Sequence, residues 1–501
     1  DIPNHNDDGS YNASVGDRQV TGITVEGTSS TPVIYVTSSD PRIGAGGGHQ
    51  DIGLDTNSGV VSRLTQQSNG TWDHVMLVRG LPRSEENHST NGLQYDAAEN
   101  VLYIAQGGHT NKGAPSDNFA LTPEYALSAA ILSVDLDAIN SMSEKSAANT
   151  SVPYLYDLPT LQGTAKPFGG QDGDNMAKWV SSSPVNVYAP GFRNPYDVVL
   201  TGDGQLYASD NSANNGWGGV VVNEGPQGNC TNEQNEQNEY SIAGVYHIAE
   251  GGDYYGHPNP TRGNPSISFG NAMESGLHEP VNCDFIDPES NNDGSAIATF
   301  GTTPQGMSYY PASNFGGDLQ GNLLLTGWND GSIIRVELSA DGTTATNTES
   351  LFSGFGSNPL DVTAQGDNET FPGTVWAATY GSNNVTVFEP NDYDGTGGPQ
   401  CTGADDPSLD EDNDGYDNAD EIDNGTDPCS GGSQPSDFDG DLTSDLNDPD
   451  DDNDEIPDTE DAFAVDADNG ASTSLPVERS FVAGQFPESL LGVGLDRKSV
   501  V

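Results

Sequence analysis

Short runs of β-branched and aromatic residues recur along the chain, each bounded by Gly, Asn or Asp. Five times, such a run leads through a loop of variable length into a second run, as in "NVLYIAQGG" before "AAILSVDL" and "GNLLLTGWND" before "GSIIRVEL". These runs predict β-strands, many of them paired in hairpins. No long amphipathic helical pattern separates them, which disfavours parallel βαβ units. The repeated two-strand unit predicts an all-β protein with radial repetition, as in a β-propeller; a β-sandwich or two smaller β domains are the alternatives.

Charge divides the chain near Pro399. The 501 residues include 76 Asp and Glu against 15 Lys and Arg, a formal net charge of −61, and residues 401–470 hold 26 of the acids and none of the bases. Such acidity excludes nucleic acid and anionic membrane surfaces as partners, and no apolar run reaches the length of a membrane span. We therefore expect four parts. They are an N-terminal extension (1–19), the β domain (20–398), an acidic segment (399–470) and a linker or the start of a further module (471–501).

Several features predict a secreted, extracellular protein. The opening stretch "DIPNHNDDGS" is interpreted as a mature, processed end. The four cysteines fall as two local pairs, Cys230 with Cys283 and Cys401 with Cys429, which fits two disulfides in an oxidising compartment. Sequons permit glycosylation at eight asparagines. They are Asn12, Asn69, Asn87, Asn149, Asn229, Asn368, Asn384 and Asn424.

The acidic segment begins with a loop, "DEDNDGYDNADE", whose oxygen donors are spaced for a hard cation. Donors fall at loop positions one, three, five, seven, nine and twelve, and Gly415 occupies position six, where the chain must turn sharply. This spacing predicts a calcium site. The predicted ligands are Asp410, Asp412, Asp414, Tyr416 through its backbone carbonyl, Asn418 and Glu421.

Two further loops, "DFDGDLTSDLND" and "DDDNDEIPDTED", repeat the pattern with Leu442 and Glu455 at position six. No helical pattern flanks the loops, which disfavours EF-hands, and a solvated acidic linker is the alternative reading. The segment resembles thrombospondin type 3 repeats, and this resemblance implies several calcium ions that stiffen a stalk, with Cys401–Cys429 clipping the first loop. The predicted ligands here are Asp437, Asp439, Asp441, Asp445, Asp448, Asp450, Asp452, Asp454, Asp458 and Asp461.

Several motifs follow one another in order along residues 20–395, among them "NHSTNGLQYDAAENVLYIAQGG", "PGFRNPYDVVLTGDGQLYASDN", "GGDYYGHPNP" and "TPQGMSYYP". Together they resemble the glucose/sorbosone dehydrogenase family. "GFRNP" before a strand, followed by "GGDYYGHP", is the most specific part. The resemblance implies a six-bladed β-propeller that uses pyrroloquinoline quinone and calcium to oxidise a sugar hydroxyl.

The same resemblance implies roles for individual residues. His88 matches the base that takes the hydroxyl proton while hydride passes to the quinone, a task suited to an imidazole with a pKa near working pH. Arg193 matches the arginine that contacts the quinone, and Asn194 is its neighbour. Asp210 and Asn211 lie where the family places calcium. The quinone itself would supply the redox chemistry.

The chain departs from the family pattern in its last blade, where Asn358, Pro359, Leu360 and Asp361 replace an arginine-rich stretch. Arg42, Lys112 and Arg335 are candidates to supply the missing positive charge. Two functions follow. One is a secreted quinoprotein aldose dehydrogenase. The other is a non-catalytic extracellular structural or adhesive protein, built from a propeller scaffold and a calcium-stiffened stalk, whose partners would be calcium, a glycan, a further module or other copies of itself.

Overall fold

A computed structural model describes most of the β domain and much of the acidic segment. These residues form twenty β-strands in five sheets and two short α-helices, α1 (Leu136–Asn140) and α2 (Asn418–Asn424). Neither helix is long enough to cross a bilayer. The described residues are 2–28, 31–122, 124–160, 177–180, 182–211, 213–220, 243–259, 295–369, 371–390, 410, 414–428, 430, 432–461 and 464–465.

The five sheets, called blades 1 to 5 in chain order, are almost entirely antiparallel. Blade 1 contains β1 (Gln19–Thr28), β2 (Thr31–Ser39), β3 (Gly59–Gln66), β4 (Trp72–Leu81) and the parallel outer strand β8 (Tyr154–Asp157). Blade 2 contains β5 (Thr90–Asp96), β6 (Val101–Gln106), β7 (Ala130–Asp135) and β9 (Val185–Pro190). Blade 3 contains β10 (Pro195–Leu200), β11 (Leu206–Asp210), β12 (Gly244–Ile248) and β13 (Ala296–Thr299). Blade 4 contains β14 (Pro304–Tyr310), β15 (Asn322–Gly327), β16 (Ser332–Leu338) and β17 (Ala345–Ser353), and blade 5 contains β18 (Pro359–Ala364), β19 (Val375–Thr379) and β20 (Asn384–Phe388).

The β-propeller prediction is confirmed, but the expected number of blades is wrong. The described part of the chain forms five blades rather than six. The five two-strand units found in the sequence are the second and third strands of these five blades, so the repeat pattern gives the number that is observed. The expectation of six came from the family resemblance. The domain boundaries near 19, 398 and 470 stay predictions.

Successive blades pack face to face because strand side chains alternate between the two faces, and one apolar cluster fills each interface from blades 1 and 2 to blades 4 and 5. In β11, Leu206 and Ala208 pack toward blade 2, whereas Tyr207 packs toward blade 4. The first strands lie side by side around the axis, in the order β1, β5, β10, β14 and β18. The loops that follow β6 and precede β5 and β10 therefore meet at one end of this axis, where the candidate site lies.

Two carboxyl groups on the first strands lie between neighbouring blades. Asp197 in β10 accepts a hydrogen bond from Met307 N in β14 at 2.8 Å, and its side chain lies directly against Gly92 in β5. Asp361 in β18 lies against Gly306. Burial raises the pKa of Asp197 to about 7, and burial together with the charge of Asp197 raises the pKa of Asp361 well above its usual range. Asp197 thus bonds blade 3 to blade 4, whereas Asp361 packs blade 5 against blade 4.

We predict that Asp197→Asn removes a pH-dependent loss of stability. The folded protein holds the Asp197 proton up to about pH 7, whereas the unfolded chain releases it near pH 4, so stability falls as pH rises between these values. Free energies of unfolding measured across this window should show the variant gaining on the wild type by on the order of 4 kcal/mol. Asp73→Asn, at an exposed position of β4, is the control. Parallel curves for wild type and Asp197→Asn would contradict the prediction.

Candidate functional site

A short loop after β6, residues 107–111, contacts both predicted catalytic side chains. The carbonyl oxygen of Gly108 accepts a hydrogen bond from Nδ1 of His88 at 2.8 Å. Three residues later, Oδ1 of Asn111 accepts from Nε and Nη2 of Arg193 at 3.2 and 3.0 Å. The loop therefore orients an imidazole at one end and a guanidinium at the other, and both line the same cavity.

His88 precedes β5 and is 2% exposed, with its ring edge-on to Phe119. Because Nδ1 donates to the Gly108 carbonyl, the neutral ring carries its acceptor lone pair on Nε2. This atom lies 3.5 Å from Oε2 of Glu86. Burial, and then the positive charge of Arg193, lower the pKa of His88 well below its usual value, while burial raises the pKa of Glu86. The imidazole is therefore a neutral base with its free nitrogen beside a carboxyl group.

Arg193 and Asn194 lie in the turn between β9 and β10, and Asp210 at the end of β11 holds this turn. Its Oδ2 accepts from Arg193 N at 2.9 Å and its Oδ1 from Asn194 N at 2.8 Å. Burial nevertheless raises the pKa of Asp210 to about 6. Both oxygens thus hold a backbone turn, which is the structural alternative to a metal role for this aspartate. The metal role expected for Asp210 stays a prediction.

The cavity has a volume of about 1190 Å³ and lies where the blades meet. His88, Arg193, Asn194 and Asn211 line it, so the structure brings together the residues singled out in separate motifs. Oδ1 of Asn211 is buried and has no hydrogen-bond partner within the described ranges. Arg18, Gln305, Trp328, Asn329 and Tyr380 also line the cavity.

The arginines expected to compensate for the missing cations are engaged elsewhere. Arg42 pairs with Asp40 at 2.8 Å and Arg335 with Glu349 at 2.9 Å, and neither is among the cavity-lining residues, nor is Lys112. The second guanidinium in the cavity wall belongs instead to Arg18, just before β1. It donates to Ser38 Oγ, to Asn4 Oδ1 and to the carbonyl oxygens of Ser38 and Ser58, so its donors are largely used within the protein. Nothing in the local sequence "VGDRQV" distinguishes this arginine.

The acidic loops share one backbone turn. In each, the first aspartate accepts backbone hydrogen bonds from residues three to five positions later: Asp410 from 414 and 415, Asp437 from 440 and 442, and Asp450 from 454 and 455. The residue at position six has a left-handed backbone in all three, with φ of 110° at Gly415 and 75° at both Leu442 and Glu455. Such a conformation is costly for residues other than glycine. The loops therefore keep the same turn even where the sequence lacks the residue that favours it.

Carboxylate oxygens converge in the second and third loops. Those of Asp437, Asp439 and Asp441 lie within 4.8 Å of one another, and so do those of Asp450, Asp452 and Asp454. Asp445 accepts from Phe438 N and Asp458 from Asp451 N, which closes each loop on itself. The hydroxyl of Tyr416 donates to Asp437 at 2.8 Å and connects the first loop to the second. Asp448 and Asp461 end the same two loops.

A short helix in the first loop departs from the sequence analysis. The predicted ligands Asn418 and Glu421 lie on α2, which the composition of the segment did not indicate. Asp417 caps it by accepting from Asp420 N, and Gly425 ends it with φ 71°. Asp412 and the cysteines Cys230, Cys283, Cys401 and Cys429 lie outside the described residues.

No family model matches the chain, and no curated protein does. Solved structures are similar at low identity. The quinone-bound aldose sugar dehydrogenase of Streptomyces coelicolor is 16% identical with a TM-score of 0.38, covering 75% of this chain and 80% of that one. The apo aldose sugar dehydrogenase of Escherichia coli is 15% identical with a TM-score of 0.39, covering 71% and 77%. A regucalcin from Agrobacterium tumefaciens is 10% identical with a TM-score of 0.29, covering 77% of each chain. The function assigned below therefore depends on the cavity residues themselves.

We predict that Gly108→Ala destabilises the site. A β-carbon there would lie 2.7 Å from Glu124 Oε1 and 2.9 Å from the Arg193 carbonyl oxygen, too close for either neighbour to stay in place. The expected cost is about 1–3 kcal/mol, measured as a lower thermal midpoint. Gly202→Ala, whose β-carbon would meet no atom within 4 Å, should leave the midpoint almost unchanged. Equal midpoints for the two variants would show that residues 107–111 are not packed as described.

Proposed function

We propose that the propeller is a sugar dehydrogenase that works with a quinone cofactor of the pyrroloquinoline type. The observation that carries the proposal is the placement of a neutral imidazole and a buried guanidinium in the wall of one cavity, both oriented by residues 107–111. A base and a cationic group close together suit the removal of a proton from a hydroxyl next to a group that gains negative charge. Because the chain has a net charge of −61, a positively charged position in the cavity must be maintained by the residues that immediately surround it.

The residues present fit the reactive end of such a cofactor. Arg193 and Asn194 offer guanidinium and amide groups to quinone oxygens, and Arg18, whose donors are used within the protein, adds positive charge to the same wall. The unpartnered amide oxygen of Asn211 is a further polar group for a bound ligand or ion. When bound, the quinone would supply the two-electron acceptor for the oxidised sugar carbon. The volume of about 1190 Å³ also leaves room for a sugar.

His88 would act as the base through Nε2. Its Nδ1–H stays bonded to the Gly108 carbonyl, so the ring keeps the tautomer that can accept a proton from a sugar hydroxyl. Its pKa lies well below the near-neutral value expected from the sequence, which keeps the ring unprotonated before the reaction but makes it a weaker base. Once Nε2 carries the proton, Oε2 of Glu86 at 3.5 Å is placed to stabilise the positive ring. The pair thus accepts and holds one proton at a defined atom.

The remaining lining favours a carbohydrate as the substrate. The rings of Trp328 and Tyr380 lie 5.9 Å apart in the cavity wall, and Tyr380 is 57% exposed. Gln305 and Asn329 add amide groups nearby. Apolar ring faces beside hydrogen-bonding amides match the apolar faces and hydroxyl edges of an aldose.

The second candidate, an extracellular adhesive or structural protein with a calcium-stiffened stalk, is favoured by the acidic loops. Their shared turn and the convergence of three carboxylates in each of two loops suit calcium, which takes six to eight oxygen ligands. Calcium would also remove much of the repulsion within residues 410–461. Secretion, paired cysteines and glycosylation fit either function. The two functions are compatible, because the stalk and the cavity use different residues.

We predict that the protein binds pyrroloquinoline quinone in millimolar calcium and then reduces a dye when aldoses are added. His88→Gln should lower kcat by about 100- to 10,000-fold, because a general base is lost, while quinone binding followed by absorbance persists. The control is His247→Gln, which changes a half-buried histidine of β12 outside the cavity wall and should leave kcat near the wild-type value. Failure of the wild-type protein to bind the quinone would favour the adhesive function.

We also predict that calcium orders the acidic loops. With calcium, proteolysis of residues 410–461 should slow markedly relative to the same protein in chelator, because bound ions offset the repulsion among carboxylates. Asp452→Asn should weaken binding in the third loop by about 10-fold or more in a calorimetric titration. Asp423→Asn, at an exposed position of α2 outside the predicted ligands, is the matched control. Equal protease resistance in both conditions would leave the loops as a solvated linker.

A further inference from the structure

Glu124 is a fully buried carboxylate that none of the predicted functions uses. It precedes β7 and accepts hydrogen bonds from both backbone and side chains of the surrounding loops. The donors are His109 N at 2.9 Å, Thr110 N at 2.8 Å, Thr110 Oγ1 at 2.7 Å, Ser128 Oγ at 2.6 Å and His257 Nε2 at 2.9 Å. Five donor groups thus surround one carboxylate, and each bond to a charged acceptor is stronger than a neutral one.

The carboxylate is ionised in the folded protein. Burial alone would raise the pKa of Glu124, but the hydrogen bond and charge of His257, the charge of His109 and the backbone N–H of His109 outweigh burial and lower it to about 2. A buried ionised carboxylate is tolerated only while its hydrogen-bond donors stay in position, because a buried charge without donors is strongly unfavourable. Glu124 therefore holds its donors in one arrangement.

Two of these donors belong to the loop that orients the site. The bonds to His109 and Thr110 lie between Gly108, which accepts from His88, and Asn111, which accepts from Arg193. Gly108 packs so closely against Glu124 that a β-carbon would not fit. A shift of the Glu124 carboxylate would therefore move both the Gly108 carbonyl oxygen and Asn111 Oδ1.

A second path leads from Glu124 to the turn that carries Arg193. His257, which donates to Glu124, also donates its backbone N–H to the carbonyl of Gly191 at 2.8 Å. Gly191 lies two residues before Arg193 and makes close contact with Tyr254 and Tyr255. The motifs "GGHTN", "GFRNP" and "GGDYYGHP" are therefore joined through one carboxylate.

We propose that Glu124 is a positioning residue: through residues 107–111 and His257 it fixes the tautomer of His88 and the orientation of Arg193. Its contribution to catalysis rests on the dehydrogenase function proposed above. Its effect on His88 and Arg193 does not, because the hydrogen bonds belong to the protein alone.

The test is Glu124→Gln in the full chain, with ring nitrogen-15 labels in histidine. The amide keeps the size of the side chain but loses the charge and places an NH₂ group against donors. In the wild type, nuclear magnetic resonance should show His88 as one tautomer, with the proton on Nδ1. In the variant this preference should be lost, and kcat of the quinone-loaded protein should fall about 10- to 100-fold, with KM changing much less.

Asp157→Asn is the matched control, because it removes a partly buried carboxylate paired with Arg79 at 2.6 Å, in blade 1 and away from residues 107–111. It should lower the thermal midpoint without changing the His88 resonances.

If Glu124→Gln folds with unchanged His88 resonances and unchanged kcat, the proposal is wrong. Should the variant not fold, Ser128→Ala, which removes one donor to Glu124, is measured instead: a smaller shift of the same resonances supports the proposal, and no shift overturns it. A wild type without dehydrogenase activity, combined with a lost tautomer preference in the variant, would refute the proposed function but keep Glu124 as the positioning residue.

Discussion

Buried carboxylates that accept backbone N–H groups hold the axial turns of this propeller. Turns between strands leave N–H groups without ladder partners, and each must find an acceptor when it is buried. Asp210 supplies one for the turn of Arg193, Glu124 for residues 107–111, and Asp197 for the start of β14. The first aspartates of the acidic loops do the same outside the propeller. An abundance of acidic residues thus becomes a way to define loop conformation, in addition to a source of net charge.

This use of carboxylates explains how a cationic site persists in such an acidic chain. The side-chain hydrogen bonds described for Arg193 go to the neutral amide oxygen of Asn111. Burial lowers the pKa of Arg193, but the ordinary pKa of an arginine is so high that the side chain stays charged. Nearby Asp210 is engaged with backbone N–H groups, which leaves the guanidinium charge available to a ligand. The positive charge in the cavity wall is therefore preserved by giving the carboxylates other partners.

The sequence predicts local features better than the contacts that build the site. The apolar runs predict the five two-strand units correctly, because the periodicity of a strand can be read from residues that are neighbours in the sequence. The helix α2 was not predicted, although two local signals mark it, Asp417 before it and Gly425 after it. The roles of Asn111 and Glu124 have no such signal, since their partners Arg193 and His257 lie 82 and 133 residues away. Family resemblance supplied His88 and Arg193, but it also supplied the sixth blade that the described residues do not contain.

Backbone strain in the acidic loops distinguishes a repeat from a merely acidic linker. A left-handed conformation costs a residue with a β-carbon about 1–2 kcal/mol, and Leu442 and Glu455 both adopt it at the position where the first loop has glycine. Dense negative charge alone would favour extension, which needs no such turn. Hydrogen bonds from the turn to Asp437 and Asp450 offset part of this cost and gather the carboxylates at the same time. The strained turn supports the calcium role proposed above, because it brings together the carboxylate oxygens that such a cation would bind.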